Sequence, residues 1–449
     1  MVGYLYPLIH ARNPWLWVTL VSLVWFGLPR AYGQDAGATD ARDALEHAAT
    51  LLHRGQAQPA LDALKTVEKL EPDNPWMWFY RGSAYLQLRR PYDAMAAFDR
   101  ALAVLAELGD PDPQLAEATR RHRLRARREV FGFAIQTGLA YDTNVTFLEG
   151  GASSLGLIAG RDDGLFASTV RMDYAPISDG TDTLTVGARL GHSWHFAVEQ
   201  FDFQDYGAYV RYARRLDEHW EVALRYDYDM MLLGNESFLS NHVVSPSVTY
   251  TYARSAEPFQ LDRTSLHYVL EGRDYLFDVS PPFDNDGFLN GVGIEQHVKI
   301  HPLADVPWTC DLGLGYRFDS VATEGTEFDR LSNTFFVALS CPLLNPASPD
   351  RYLILPDKEL RLRFSANAAW DNYRKSSLID ARGEKRDDRI WTFGWVLTQK
   401  LIDDAKLGNL LLHAIINLTD AHSNVRTEDN IEPFAYDRVV YGVQLEWNW

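Results

Sequence analysis

The chain has 449 residues with Lys+Arg 43 against Asp+Glu 61, a formal net charge of −18 and a sequence pI near 5.1. That balance argues against nonspecific nucleic-acid binding, which rests on a basic surface. Mean hydropathy is mildly negative at −0.25, and after the first thirty or so residues no stretch is long and apolar enough to cross a bilayer as a helix, for which roughly 20 apolar residues are needed.

In chain order, residues 14–28 form an apolar run preceded by Arg12 and followed by Ala31-Tyr32-Gly33. This reads as a secretory leader over 1–33 with a small-x-small cleavage site. Residues 34–129 are expected to form a helical domain. Within it, Trp78, Gly82 and Tyr85, then Ala94 and Phe98, follow a W-x2-L-G-x2-Y…A-x3-F pattern, with Arg81 in place of the leucine. A weaker copy lies 34 residues earlier at Ala44, Ala48, Leu51, Ala60, Leu64 and Pro72. The segment resembles tetratricopeptide repeats. That resemblance implies that Trp76, Phe79, Ser83 and Leu86 lie on the inward helix face, where they are candidates to bind an extended or helical segment of a client protein. A further helix near 112–128 should cap the stack. It carries Arg120, Arg121, Arg123, Arg125, Arg127 and Arg128, either a solvated face or a docking strip for the barrel rim or anionic headgroups.

From Val130 the pattern changes to alternating strands, about fourteen, near 130–142, 163–176, 182–196, 204–216, 219–231, 237–253, 263–272, 287–301, 307–319, 329–342, 358–371, 388–402, 408–421 and 436–449. In an even-numbered antiparallel barrel whose first strand starts in the periplasm, odd connections should be long and extracellular and even ones short. The odd connections 143–162, 273–286, 372–387 and 422–435 are long, and 177–181, 217–218, 302–306 and 403–407 are tight; 343–357 is the exception. Parity assigns the charged faces to the lumen, since a charge facing lipid at the midplane costs about 2–4 kcal/mol. The expected lumen residues are Arg189, Arg211, Arg225, Asp227, Asp229, Glu295, Lys299, Arg317, Arg361, Arg363 and Glu446.

Cys310 and Cys341 fall on the same face of the ninth and tenth strands, with their midpoint near Gly325 in the connecting loop. A cross-strand disulfide is therefore expected in an oxidising compartment. The acidic stretches 284–286 and 420–437 lack calcium-loop spacing, so no metal site is expected. Scattered histidines and the lack of a G-x-S-x-G elbow assemble no catalytic group and no cofactor site. The last strand alternates: Val439, Tyr441, Val443, Leu445, Trp447 and Trp449 share one face, and Gly442, Gln444, Glu446 and Asn448 the other. This resembles the final strand of outer-membrane barrels, whose terminal aromatics, here Trp447 and Trp449, are read by the barrel assembly machinery.

The junction Gly138-Leu139-Ala140-Tyr141-Asp142-Thr143-Asn144-Val145 is similar to the G-x-x-Y-[DN]-x-N-[VI] motif of repeat-barrel proteins. With the leader, the short helical repeats and the strand count, it makes the chain resemble the surface lipoprotein assembly modifier family. The resemblance implies a periplasmic repeat domain ahead of an outer-membrane barrel (130–449) that helps lipoproteins or secreted proteins reach the cell surface. Two other function classes stay open: an exopolysaccharide export porin, and a membrane-anchored scaffold that only recruits a periplasmic protein.

Overall fold

A computed structural model describes residues 36–108, 112–146, 161–253, 258–277, 281–301, 309–344, 359–404 and 407–449. The expected leader over 1–33 and almost all of the 343–357 connection lie outside the described residues. The chain divides into two compact units, one holding the helices up to Val130 and one holding the strands from Phe131.

The helical unit contains α1 (Ala36–His53), α2 (Ala57–Leu70), α3 (Pro75–Gln87), α4 (Pro91–Glu107) and α5 (Pro113–Val130). Local chemistry sets several of the ends. The Asn74 side chain accepts hydrogen bonds from the backbone N–H groups of Trp76 and Met77 at 2.9 and 3.3 Å, and Pro75 occupies the first turn of α3; both are favoured helix starts. The core is apolar and small-residue-rich: Ala48, Leu52, Ala60, Leu64, Val67, Met77, Phe79, Phe98, Leu105 and Leu115 are buried. Gly82 is needed where α3 crosses α4, because a Cβ there would stand 2.5 Å from the ring of the fully buried Phe98. Arg81, the departure from the repeat pattern, forms a two-pronged pair with Glu68 of α2 at 2.9 and 2.5 Å and sits 4.7 Å from the Trp78 ring centroid. The guanidinium thus joins α2 to α3 where a leucine would have packed.

The second unit is a closed antiparallel barrel of fourteen strands, each paired with its sequence neighbours and β1 with β14. The strands are β1 (Phe131–Asp142), β2 (Asp163–Ser178), β3 (Asp182–His195), β4 (Phe203–Arg215), β5 (Trp220–Leu233), β6 (Glu236–Thr251) and β7 (Phe259–Tyr275), then β8 (Gly287–Ile300), β9 (Cys310–Thr323), β10 (Arg330–Leu344), β11 (Leu360–Ser376), β12 (Lys385–Asp404), β13 (Gly408–Ser423) and β14 (Tyr436–Asn448). All fourteen expected strands are present. Closure runs from Ala134↔Asn448 to Asp142↔Val440, so no strand edge is left unpaired, the condition for a sheet to cross hydrocarbon. At this seam the backbones approach closely, and a Cβ on Gly138 would lie 2.3 Å from the Val443 carbonyl oxygen.

The exterior is apolar. Leu139, Val186, Leu190, Val210, Leu224, Leu266, Val292, Ile294, Phe335, Ile416, Val443 and Leu445 are exposed on one parity of their strands, as a lipid-facing surface requires. On the final strand Tyr441, Val443, Leu445 and Trp447 are all exposed.

Candidate functional site

Alternation places the expected lumen residues opposite in parity to the exposed apolar residues of their own strands, save Arg361 and Arg363, whose strand β11 carries no exposed large apolar residue. Arg189 lies between exposed Val186 and Leu190, Arg225 between exposed Leu224 and Tyr226, and Glu446 between exposed Leu445 and Trp447. The barrel brings these groups together mainly as ion pairs. Arg189 bridges β3 to both following strands, with Nε 2.6 Å from Asp205 and Nη2 3.1 Å from Asp229. Arg225 chelates Asp227, and its guanidinium carbon stands 4.0 Å from the Tyr209 ring centroid. Arg211 meets Glu221 at 2.7 Å, and Arg317 meets Asp319 at 2.7 Å. Lys299 pairs with Asp311, which Arg361 also approaches at 3.5 Å while holding Glu359 at 2.9 Å. Glu295 has His297 at 3.7 Å, and Glu446 has His413 at 3.1 Å. Arg363 is exposed and has no ion-pair partner among the described residues.

Sequence reading missed half of this network. Asp205, Glu221, Asp311 and Asp319 are the acidic counterparts, and a second set lies toward the long-loop end: Arg273 with Glu271 at 2.6 Å, Arg330 with Asp371 at 3.1 Å and Arg386 with Asp388 at 2.6 Å. Inward parity was available as a signal for these, but their strand-end positions made boundaries, and hence facing, hard to assign. The opposed charges pair with one another both across strands, as Arg189 does with Asp205, and two residues apart along one strand, as Arg317 does with Asp319.

The long connections form a continuous ring of hydrogen bonds around one rim. At the start of β2, Asp163 accepts from the N–H groups of Ala197 and Val198 at 2.8 and 3.0 Å, joining the first connection to the third. The Gly234 N–H reaches the Asp202 carbonyl at 2.8 Å, and Phe238 stacks on Phe277 with centroids 5.5 Å apart. The Gly325 N–H donates to the Asp284 carbonyl at 2.9 Å. Buried Glu327 accepts from Ser377 Oγ at 2.9 Å and the Leu378 N–H at 2.6 Å, and buried Asp380 accepts from the Arg426 N–H at 3.0 Å. Backbone N–H groups of Arg426 and Glu384 hold the Asp380 carboxyl down to a pKa of about 2.

The junction motif closes the ring. Asp142, almost fully buried, accepts the Asn144 N–H at 2.9 Å and both prongs of Arg438 on β14, the Nε at 3.0 Å. Asn144 Nδ2 donates to the Asp437 carbonyl at 3.2 Å, and the Thr143 N–H to the Val439 carbonyl at 3.0 Å. The D-x-N spacing of Asp142 and Asn144 is therefore a clasp between first and last strands.

Cys310 and Cys341 are joined by a disulfide with Cα atoms 4.4 Å apart, the separation of directly opposed residues in a non-hydrogen-bonded antiparallel pair. They share parity with exposed Leu314 and Val337, so the bridge is on the outward side. Trp447 donates its indole N–H to the Leu407 carbonyl at 2.6 Å, and Trp449 exchanges backbone hydrogen bonds with Phe133 at 2.9 and 3.2 Å.

In the helical unit, the four candidate client-binding residues separate. Phe79 and Ser83 are 3% and 5% exposed; Phe79 packs edge-on against Trp76 and His122, and Ser83 Oγ donates to the Phe79 carbonyl at 2.9 Å. These two are interior residues of the helix stack, because α5 folds over the face that a two-repeat array would leave open. Trp76 and Leu86 are partly buried at the edge of the same core. The imidazole of His122 on α5 lies 5.2 Å from the Phe79 ring and 5.8 Å from Phe98, with its Nδ1 buried and without a hydrogen-bond partner. Burial, aided by the nearby Arg125, lowers its pKa to about 4.

No family model and no curated protein matches the chain. Among solved structures it is similar to a bacterial polysaccharide outer membrane secretin at 10% identity, covering 70% of this chain and 98% of that one with a TM-score of 0.36. It is similar to CdiB from Acinetobacter baumannii at 8% identity, covering 71% of this chain and 60% of that one with a TM-score of 0.34. An anion-selective porin from Comamonas acidovorans is likewise similar at 8% identity, covering 71% and 98% with a TM-score of 0.35.

Proposed function

We propose that this chain is an outer-membrane repeat-barrel protein that assists movement of surface or secreted proteins, lipoproteins among them, across the outer membrane. The barrel anchors the molecule in lipid, the helical unit on the periplasmic side receives the client, and Trp76 with Leu86 at the edge of the helical core are the side chains that first touch it. The reading matches the architecture of the surface lipoprotein assembly modifier family that the junction motif and repeats resemble.

The observation that carries the reading is the self-paired lumen beneath a stitched loop rim. A diffusion porin gains selectivity from charges facing water, whereas here Arg189, Arg225, Arg317 and Arg361 are occupied by carboxylates of the barrel itself. Exopolysaccharide export is the second reading. It is favoured by uncharged lumen groups suited to hydroxyls, such as Gln136 with Gln444 at 2.6 Å and Thr249 with Ser265 at 2.9 Å. Deleting the gene and comparing surface-exposed proteins with secreted polymer tests the choice. Loss of a surface or secreted protein supports the proposal; unchanged surface proteins with lost polymer overturn it in favour of the polysaccharide reading, and no change in either leaves only a scaffold.

A further inference from the structure

We infer that the outward face of α5 binds the phosphate headgroups of anionic phospholipids, in the leaflet from which β1 enters the membrane. The helix carries six arginines against Glu117 and Glu129, a cationic segment in a chain whose net charge is −18. Its other side is spoken for: Leu115, Ala116, Thr119, Ala126 and Val130 are buried. At about 100° per residue, Arg121, Arg125 and Arg128 fall on the opposite arc and Arg120 and Arg127 on its flank, while Arg123 lies on the side of the buried residues, where it pairs with Asp99 of α4.

Three of these arginines are held only by exposed, shared or long pairs. Arg120 and Arg121 share the single carboxylate of Glu117 at 3.7 and 3.1 Å, and Arg125 is 3.9 Å from Glu129, with the three arginine side chains 55%, 67% and 64% exposed. Exposed pairs of this kind contribute about 0.3–0.5 kcal/mol, so a phosphate can replace or join the carboxylate at little cost. Guanidinium groups suit that exchange, since their planar fork donates two parallel N–H bonds to two phosphate oxygens at once.

Chain continuity supplies the membrane. The helix ends at Val130 and β1 begins at Phe131, with no linker between them. Arg125, Arg127 and Arg128 therefore lie within about 10 Å of chain rise from the first residue of the barrel, comparable to the Debye length of about 10 Å over which a charged lipid surface attracts arginine. The inference does not depend on which cargo the barrel serves.

The test uses the full chain in lipid nanodiscs and an arginine-specific dicarbonyl label, read residue by residue by peptide mass spectrometry. In discs containing phosphatidylglycerol, labelling of Arg121 and Arg125 should slow at least about threefold relative to pure phosphatidylcholine, with the protection lost in high salt. Exposed Arg54, at the far end of α1, should label equally in both. Equal rates at Arg121 and Arg125 in the two lipids, or equal slowing at Arg54, would overturn the inference. So would the same protection from free glycerol phosphate added to phosphatidylcholine discs, since the site would then be one for soluble anions. The R120Q/R121Q/R125Q variant, if folded, should also retain fewer phosphatidylglycerol molecules in native mass spectrometry; unchanged retention would count against the site.

Discussion

Acidification should loosen the helical unit through His122. In the folded unit its imidazole is kept neutral between Phe79 and Phe98, with its pKa lowered from 6.5 to about 4 by burial and by Arg125. In the unfolded chain the same group titrates near 6.5. Between those values only the unfolded state takes up the extra proton. The stability contributed by the neutral histidine is therefore complete above about pH 6.5, declines as pH falls toward about 4, and is level below that. At 1.36 kcal/mol per pKa unit the loss has a ceiling of about 3 kcal/mol. Part of the ring remains accessible, so the realised value should fall below that ceiling. For a domain of this size, each kcal/mol shifts the midpoint by about 4–8 °C, and a fall of roughly 10 °C is expected between neutral pH and pH 4. The assay is thermal melting of the full chain in detergent, followed in the helical far-ultraviolet band, where strands contribute weakly. His122→Leu removes the titrating group while keeping an apolar side chain against both rings. Its melting temperature should therefore be much less sensitive to pH over this range. Equal pH slopes for the variant and the parent chain would refute the reasoning, because carboxylates such as Glu68, whose pKa the Arg81 hydrogen bond lowers, are common to both.

Gly82→Ala should destabilise the helical unit by about 1–3 kcal/mol, because the added Cβ meets the Phe98 ring at 2.5 Å; the same helical melt reads it, with the barrel unaffected. Arg438→Gln strands the buried Asp142 carboxylate and should cost on the order of 3 kcal/mol, lowering the temperature at which the barrel changes its gel migration. The Asp142→Asn/Arg438→Gln double variant should recover part of that loss, and failure to do so would mean that the pair is not the seam clasp. Alanine at both Trp76 and Leu86 should weaken client capture while leaving heat-modifiable barrel migration intact. Protease added to intact cells should cut within 273–286 or 422–435 before it cuts the helical unit; the reverse order would invert the proposed topology.

Much of the barrel is determined by local sequence alone. Tyr441 to Trp447 alternate so regularly that facing follows from counting residues, and the same holds for Trp220 to Tyr228. Strand number and closure were legible because connection lengths alternate and because a sheet in lipid has no stable open edge. The register of Cys310 against Cys341 was readable for the same reason: a symmetric position about one hairpin loop places two residues opposite each other. Tertiary structure alone decided which charges meet. Arg189 finds Asp205 and Asp229 16 and 40 residues away, and Arg438 finds Asp142 across 296; such pairs depend on strand stagger and on closure of the ring, which no local pattern encodes. The same limit applied to the helices, where period marked Phe79 and Ser83 as one face, but only the packing of α5 over that face, with His122 against the Phe79 ring, made it interior. Local periodicity tells which side of an element is apolar, whereas the partner that covers it is chosen by where the rest of the chain can reach.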